Sequence, residues 1–178
     1  MAMLGLNLLG LDPDNLAHLK RLITFVEVDR CAADAIASVT GCKLGRRSLK
    51  FKDYGLMSAT FLDLETKLAY RVTALETSRE LAPRYAKPGR DRRKMEVEAY
   101  SKMDLEDLFR IERVRVHLSE LELPGPARKK TACEICGELV RDGKEVVRGG
   151  KTLCRPCSGD SYFEIIDDIH VGADAALS

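Results

Sequence analysis

The 178-residue sequence has no long apolar run and almost no excess of charge of either sign. No stretch approaches the roughly 18 consecutive apolar residues that a membrane-spanning helix requires, so we expect no membrane partner. The formal net charge is +1, which leaves no overall field to attract nucleic acid or an anionic membrane surface. The composition therefore disfavours a nucleic-acid-binding role.

Targeting and catalytic signatures are also missing. The apolar start at residues 1–11 lacks a basic leader and a small-residue cleavage site, so it does not fit a secretory signal peptide. No phosphate-binding glycine loop, Ser-His-Asp arrangement or paired-carboxylate motif stands out, and none of the three histidines is spaced with a cysteine in a metal-binding pattern. The residues alone therefore indicate no complete catalytic constellation.

What the chain does contain is apolar material for a core, since 45% of its residues are hydrophobic and 32% are charged. Its length suits one domain of roughly 120 residues plus a small appendage. The basic, turn-rich segment PGPARKK at residues 124–130 marks the boundary. We therefore predict a core over residues 1–124, a linker over 125–130, and a module with a tail over 131–178.

Four of the six cysteines form two C-x-x-C pairs in that module, separated by 17 residues: Cys133, Cys136, Cys154 and Cys157. Two tight turns that each supply two thiolates satisfy the tetrahedral preference of Zn²⁺. Paired knuckles favour metal and a reducing cytoplasm over the disulfides of a secreted protein. Two disulfides or a redox pair are alternatives that this symmetrical spacing suits less well. Four cysteines leave no open coordination position, so the predicted zinc is structural.

Periodicity predicts the local structure of the core. Residues 31–39 fit a helix with Asp34 in its first turn and Gly41 at its end. Alternating apolar residues at 57–61 and 68–74 predict a β-hairpin, and a similar alternation at 114–118 predicts a further strand. After the last cysteine, residues 161–169 fit a terminal helix.

Three stretches of the core are distinctive: FVEVDRCAADAI at residues 25–36, VTGCKLG at 39–45 and LKFKDYG at 49–55. They closely resemble the FmdE family, named for a component of molybdenum or tungsten formylmethanofuran dehydrogenase. The resemblance covers about residues 3–118, and family members commonly carry a C-terminal zinc ribbon. It implies an α+β core of FmdE type followed by a four-cysteine zinc ribbon or treble-clef-like module.

The sequence departs from the family pattern in two places. Family members usually open with a His-Gly-His-x-Cys-Pro-Gly stretch, whereas this chain begins at Met1 inside what resembles the first helix, and the abrupt apolar start favours a shortened gene model or fragment. The family's Asp-Tyr-Gly-Lys motif appears as DYGL at residues 53–56, so its lysine is replaced by Leu56.

The resemblance implies a cleft that holds a catalytic site or a second metal. The residues of this chain that match the cleft are Cys31, Asp34, Cys42, Asp53 and Tyr54. Residue chemistry leaves alternatives open: Cys31 at a helix start suits a nucleophile or metal ligand but also a small buried side chain. Asp34 suits a ligand or merely complements the helix dipole, and for Cys42 burial is favoured.

Three functions follow as hypotheses. The first is an accessory protein that handles a metal or cofactor for a molybdenum or tungsten formylmethanofuran dehydrogenase-type system, with a molybdopterin-type dehydrogenase as partner. The second is a stand-alone enzyme that uses Cys31 and Asp34. The third is a zinc-ribbon regulator that binds nucleic acid, which the balanced charge disfavours. The resemblance also implies a homodimer, and a charged helical segment beside a separately folding ribbon would allow the ribbon to rest on the core of the partner.

Overall fold

The computed structural model describes residues 1–86 and 91–167 of the chain. Helices and strands are mixed along the sequence, as the α+β prediction requires. The chain divides into two compact units, Met1–Gly125 and a second unit that begins at Pro126. The elements of the first unit are α1 (Ala2–Leu9), α2 (Leu16–Lys20), β1 (Leu22–Val26), α3 (Cys31–Thr40), β2 (Leu49–Phe51), β3 (Ser58–Asp63), β4 (Ala69–Ala74), α4 (Thr77–Tyr85), α5 (Arg92–Tyr100), α6 (Leu105–Leu108) and β5 (Phe109–Arg113).

One five-stranded sheet, in the order β2-β1-β3-β4-β5, organises the first unit. Strands β1 and β2 run parallel, and the other neighbours are antiparallel. The predicted hairpin is confirmed as β3 and β4. Its turn is held by Asp63, whose carboxylate accepts hydrogen bonds from the Glu65 backbone at 2.9 Å and the Thr66 hydroxyl at 3.0 Å.

The core lies on the sheet face that α1 and α3 cover. Leu6 of α1 is fully buried there, together with Phe61 of β3 and Val72 of β4. Helix α1 crosses the sheet closely at Gly5, where an added Cβ would lie 2.3 Å from the Phe61 ring. Glycine is therefore required at this crossing to let helix and sheet pack together.

The opposite face of the sheet has an apolar half, which includes Ile23 and Phe25 of β1. The predicted strand at residues 114–118 is wrong. The strand is β5, which ends at Arg113, immediately before the predicted segment. The side chains of Val114, Val116 and Leu118 instead pack, without strand pairing, against this apolar part of the sheet face. Alternation along the segment thus reflects contact with a sheet face, which produces the same pattern as strand pairing.

Helices α4 and α5 pack against each other through a separate apolar cluster. Ala82 and Ala99 are fully buried at their contact, and Ala86 and Met103 complete it. Small alanine side chains let the two helices approach closely. Among the described residues, no helix is long and apolar enough to cross a membrane.

The second unit consists of two short hairpins, β6 (Lys130–Ala132) with β7 (Leu139–Arg141) and β8 (Val146–Arg148) with β9 (Lys151–Leu153). A 3₁₀ turn, Pro156–Ser158, contains Cys157 of the second cysteine pair. The predicted terminal helix is absent from residues 161–167, and residues 168 and 169 lie outside the described chain. The Ser161 hydroxyl accepts a hydrogen bond from the Phe163 N–H at 3.2 Å, a local bond that competes with helix formation.

Candidate metal centre

The first cysteine pair lies in the turn between β6 and β7. The Cys133 N–H donates to the Glu138 carbonyl at 2.9 Å, and the Gly137 N–H donates to the Cys133 carbonyl at 2.9 Å. Gly137 has φ of 76°, the left-handed conformation that glycine adopts without strain. This tight turn brings Cys133 and Cys136 to one side of the hairpin.

The second pair follows β9 directly. The turn after Cys154 aims the Cys157 N–H at the Cys154 sulfur, 3.4 Å away. Glu134 joins the two pairs, because its N–H donates to the Thr152 carbonyl at 3.0 Å and its carboxylate accepts from the Thr152 N–H at 2.6 Å. The cysteine spacing gave no sign of this role for Glu134.

The four cysteine sulfurs converge, with all four lying within 4.8 Å of one another. Cys136 Sγ and Cys154 Sγ are 3.8 Å apart. Four sulfurs at the Zn–S distance of about 2.3 Å in a tetrahedron lie about 3.8 Å apart, whereas a disulfide bond is about 2.05 Å long. The arrangement thus fits a four-cysteine zinc site, and none of these four cysteines forms a disulfide.

Hydrogen bonds to the sulfurs shift the pKa values of two of the four cysteine thiols in opposite directions. Backbone N–H groups of Cys136 and Cys154 point at the Cys133 sulfur and lower its pKa to about 6. The Cys157 thiol bonds to the Cys154 sulfur and is desolvated, which raises its pKa to about 12. Without metal, one sulfur is therefore a thiolate near neutral pH and another keeps its proton. A bound metal ion must displace that proton.

Exposure differs sharply among the ligands. Cys133 and Cys154 are buried, Cys157 is half-buried and Cys136 is exposed.

The predicted structural role of the zinc is supported, because four thiolates fill the tetrahedron and leave no position for a substrate or water.

The predicted core-site residues occupy two separate regions. Cys31 begins α3 and is exposed, and Asp34 lies one turn later, also exposed. The loop that carries Asp53 and Tyr54 is anchored beside the end of β1, because Lys52 N–H donates to the Val26 carbonyl at 2.9 Å. These four residues thus share the end of the sheet where the parallel strands β1 and β2 finish.

Cys42 lies apart from that group. It follows the far end of α3, about 15 Å along the helix from Cys31 at 1.5 Å per residue. Its sulfur is buried, 3.5 Å from the Thr24 hydroxyl and 3.8 Å from the Leu22 carbonyl. The structure therefore does not bring Cys42 to Cys31, and Cys42 has the environment of a core side chain.

Within residues 1–86 and 91–167, the four ribbon cysteines are the one cluster of His, Cys, Asp or Glu with three or more converging donor atoms. A second metal in the core stays a prediction. Sequence reasoning missed the buried Glu27, which follows β1 directly and pairs with Arg71. A charged residue inside the apolar run at residues 22–28 was the available signal.

Comparison with known proteins agrees with this architecture. The sequence model of the family described as "FmdE, Molybdenum formylmethanofuran dehydrogenase operon" matches residues 1–117. The model of the prokaryotic dksA/traR C4-type zinc finger matches residues 125–163, which contain all four ribbon cysteines.

One curated relative is a probable S-adenosyl-L-methionine-binding protein of Archaeoglobus fulgidus, 26% identical over 93% of this chain. The chain spans 48% of that relative's length. Among solved structures, an FmdE-like protein from Syntrophus aciditrophicus, named for tungsten formylmethanofuran dehydrogenase, is similar with a TM-score of 0.53. It is 22% identical, and the similarity covers 80% of this chain and 74% of that one. With a family match over residues 1–117 and an α+β fold shared with an FmdE-like structure, the chain belongs to the FmdE family and carries a C-terminal C4-type zinc finger.

Proposed function

We propose that this protein is a zinc-binding accessory component of a molybdenum or tungsten formylmethanofuran dehydrogenase-type system, where it handles a metal or cofactor for a molybdopterin-type dehydrogenase. The observation that carries the proposal is the family match over residues 1–117, whose description names that operon. The relative from Syntrophus aciditrophicus bears the name of the FmdE component of the tungsten enzyme.

The zinc site supports an accessory role over a catalytic one. A catalytic zinc needs a coordination position for water or substrate, and four thiolates leave none. No second cluster of metal-binding side chains occurs in the described residues. The described residues therefore favour binding to a partner protein over catalysis at the zinc ion.

The zinc module offers a surface for docking. Three of its apolar side chains are more than half exposed: Ile135 at 61%, Leu139 at 53% and Val147 at 72%. Large apolar side chains exposed on a small module are available for contact with a protein partner. We assign contact with the dehydrogenase to this module.

The test is purification of the tagged chain from its native cells, with identification of the proteins that accompany it. We expect components of a molybdopterin dehydrogenase to copurify, and we expect Ile135→Ser with Val147→Ser to reduce their yield. Leu105→Ser in the first unit, where Leu105 is 54% exposed, is the matched control and should retain them.

A gene deletion separates metal or cofactor handling from simple docking. The dehydrogenase from deletion cells should contain less molybdenum or tungsten, and the wild-type gene should restore it. If the chain purifies without such an enzyme, and deletion leaves the metal content unchanged, the proposal is wrong.

A stand-alone enzyme is the second proposal, favoured by the exposed Cys31 at a helix N-terminus without a side-chain cap. Elemental analysis distinguishes the proposals, because an enzyme with a metal in this cleft would contain a second ion that is lost in Cys31→Ala and kept in Cys42→Ala. One ion per chain in all three proteins would argue against a metal in the cleft.

A further inference from the structure

A small hollow lies in the first unit between α2, the end of α3 and the loop that leads to β2. Its volume is about 220 Å³, and Leu16, Leu19 and Pro124 supply apolar side chains to its wall. Leu16 is 74% exposed although its side chain is large and apolar. Apolar walls with a few polar groups are the usual setting of a small-molecule site. An occupant of this hollow would cover apolar surface that the folded chain leaves in water.

Helix α2 turns one side toward the hollow. The Asn15 side chain caps the start of this helix by accepting the Ala17 N–H at 3.0 Å. Leu16, Leu19 and Lys20 follow at spacings of three and four residues, which share one side of a helix, and all three line the hollow. One short helix thus supplies two apolar side chains and a cation.

A second wall is the loop between α3 and β2, which hydrogen bonds hold in place. The Arg47 N–H donates to the Leu44 carbonyl at 2.8 Å and closes a turn that contains Arg46. The Lys50 ammonium donates to the Glu122 carbonyl at 2.6 Å, which ties the end of the first unit to β2. These bonds fix the wall before any ligand binds, and a preformed site loses less free energy on binding.

The charges of the hollow favour an anion. Lys20 and Arg46 line it and have no salt bridge or side-chain hydrogen bond to any part of the chain that the structure describes. None of the described residues that line it is acidic. The Ser48 hydroxyl accepts the Lys43 N–H at 3.1 Å, which leaves its own proton to donate into the hollow. Helix α3 also ends here, but the roughly half negative charge of a helix C-terminus is outweighed by two full positive charges.

We propose that this hollow binds a small organic carboxylate that carries one aromatic ring or an apolar group of similar size. An apolar cavity of about 150 Å³ holds benzene, so a hollow of about 220 Å³ has room for one ring and a short polar group. The ring packs against Leu16 and Leu19. The carboxylate accepts hydrogen bonds from Lys20, Arg46 and the Ser48 hydroxyl, because bonds between ionised groups are the strong ones.

Size and chemistry disfavour other occupants. An inorganic anion would leave the apolar wall in water, and an uncharged ring would leave both cations without a partner. A nucleotide is too large, because sites for ligands of that size occupy about 300–1,000 Å³. The hollow lies in the first unit, whereas the proposed dehydrogenase contact belongs to the zinc module. Carboxylate binding therefore goes beyond the proposed function and does not depend on it.

An NMR titration of the full zinc-loaded chain with phenylacetate tests the proposal. The amide signals of Leu19, Gly41 and Ser48 should shift together and saturate, with a dissociation constant of about 1 mM or lower. Phenylethanol keeps the ring without the charge, and acetate keeps the charge without the ring. Each should bind about tenfold more weakly or worse, because each loses one of the two kinds of contact.

Substitutions separate the charged wall from the apolar wall. Arg46→Gln and Lys20→Gln should each weaken phenylacetate binding by about fivefold and leave phenylethanol binding unchanged. Lys43→Gln is the matched control, because Lys43 is an exposed cation of the same loop outside the hollow. Leu16→Ser should weaken the binding of both compounds, whereas Leu44→Ser should not, since Leu44 is 65% exposed and lies outside the hollow.

An unchanged melting temperature shows that each variant is folded, because all of these side chains are at the surface. Any of three results would overturn the proposal: no saturable shift of these amide signals with phenylacetate, equal affinity for phenylacetate and phenylethanol, or equal losses in Arg46→Gln and Lys43→Gln. None of these measurements requires a dehydrogenase, so their failure leaves the proposed function untouched.

Discussion

Arg71 holds Glu27 through two parallel hydrogen bonds, 2.8 Å from Nε to Oε1 and 2.7 Å from Nη2 to Oε2. The Glu27 side chain is 6% exposed and that of Arg71 is 19% exposed. Glu112 accepts a further bond from Arg71 at 2.9 Å. These bonds raise the pKa of Arg71 above its usual value, so this cation stays charged inside the sheet.

Glu27→Ala should destabilise the first unit by about 3–5 kcal/mol, because it leaves a largely buried guanidinium without its main partner. Urea unfolding followed by circular dichroism measures the change. Arg71→Lys should also destabilise, since an ammonium cannot make the two parallel bonds. Lys102→Ala is the control: it breaks a partly exposed pair with Glu98 at the end of α5 and should change the free energy of unfolding by about 0.5 kcal/mol or less. Equal effects of Glu27→Ala and Lys102→Ala would contradict the buried-pair account.

Gly5→Ala should destabilise the first unit by about 1–3 kcal/mol, although alanine is the better helix former by about 1 kcal/mol. The added methyl would meet the Phe61 ring at 2.3 Å. Phe61→Leu should reduce the cost of Gly5→Ala, because it removes the ring. Additive effects in the double variant would mean that the two residues do not share this contact.

Zinc content should depend on the ribbon cysteines and not on the core cysteines. We expect one zinc ion per wild-type chain by elemental analysis, loss of zinc in Cys133→Ser with Cys154→Ser, and retention in Cys31→Ser. Loss of zinc should unfold the small ribbon, whose folding energy comes largely from the metal, while the first unit keeps its melting transition. Zinc retained by the Cys133→Ser, Cys154→Ser variant would refute the site.

Proton release on zinc binding should increase as the pH falls through about 6. Cys157, with its pKa of about 12, is protonated in the metal-free protein across the neutral range and gives up a proton on binding. Cys133, with its pKa of about 6, adds another only below that value, where it too is protonated. Zinc affinity should therefore fall more steeply with decreasing pH below about 6. Titration calorimetry in buffers of different ionisation enthalpy measures the released protons, and a constant number from pH 5 to 8 would contradict the assignment to Cys133.

Thiol labelling should distinguish the two core cysteines in the zinc-loaded protein. Cys31 is exposed and should react quickly with an aromatic disulfide reagent, whereas Cys42 is 2% exposed and should react only on unfolding. Cys31→Ser should remove the fast phase and Cys42→Ser should leave it unchanged. A fast phase that disappears in Cys42→Ser would show that α3 opens in solution.

The local elements of the core followed from the sequence where neighbouring residues decide them. Helix α3 begins at Cys31 and ends before Gly41, which has φ of 65°, because glycine readily adopts the left-handed conformation that terminates many helices. The β3–β4 hairpin followed from alternation and a turn between the strands. The strand predicted at residues 114–118 was wrong. The alternation of apolar and polar residues there shows that one side of the segment is covered, but it does not show whether the backbone also pairs with a strand. The terminal helix was wrong at residues 161–167 because it was inferred from capping residues alone, and those residues pack too little to stabilise a helix.

The sequence by itself determined the zinc site, because its four ligands lie in two short motifs and tetrahedral coordination constrains their spacing. It also identified the family, through the stretches around Cys31, Cys42 and Asp53. Only the tertiary structure separated Cys42 from Cys31, since a ten-residue helix carries them to opposite ends. Only the sheet order paired Glu27 with Arg71 and placed β5 last in the sheet, because contacts between distant strands depend on how the chain returns to the sheet, which no local pattern records.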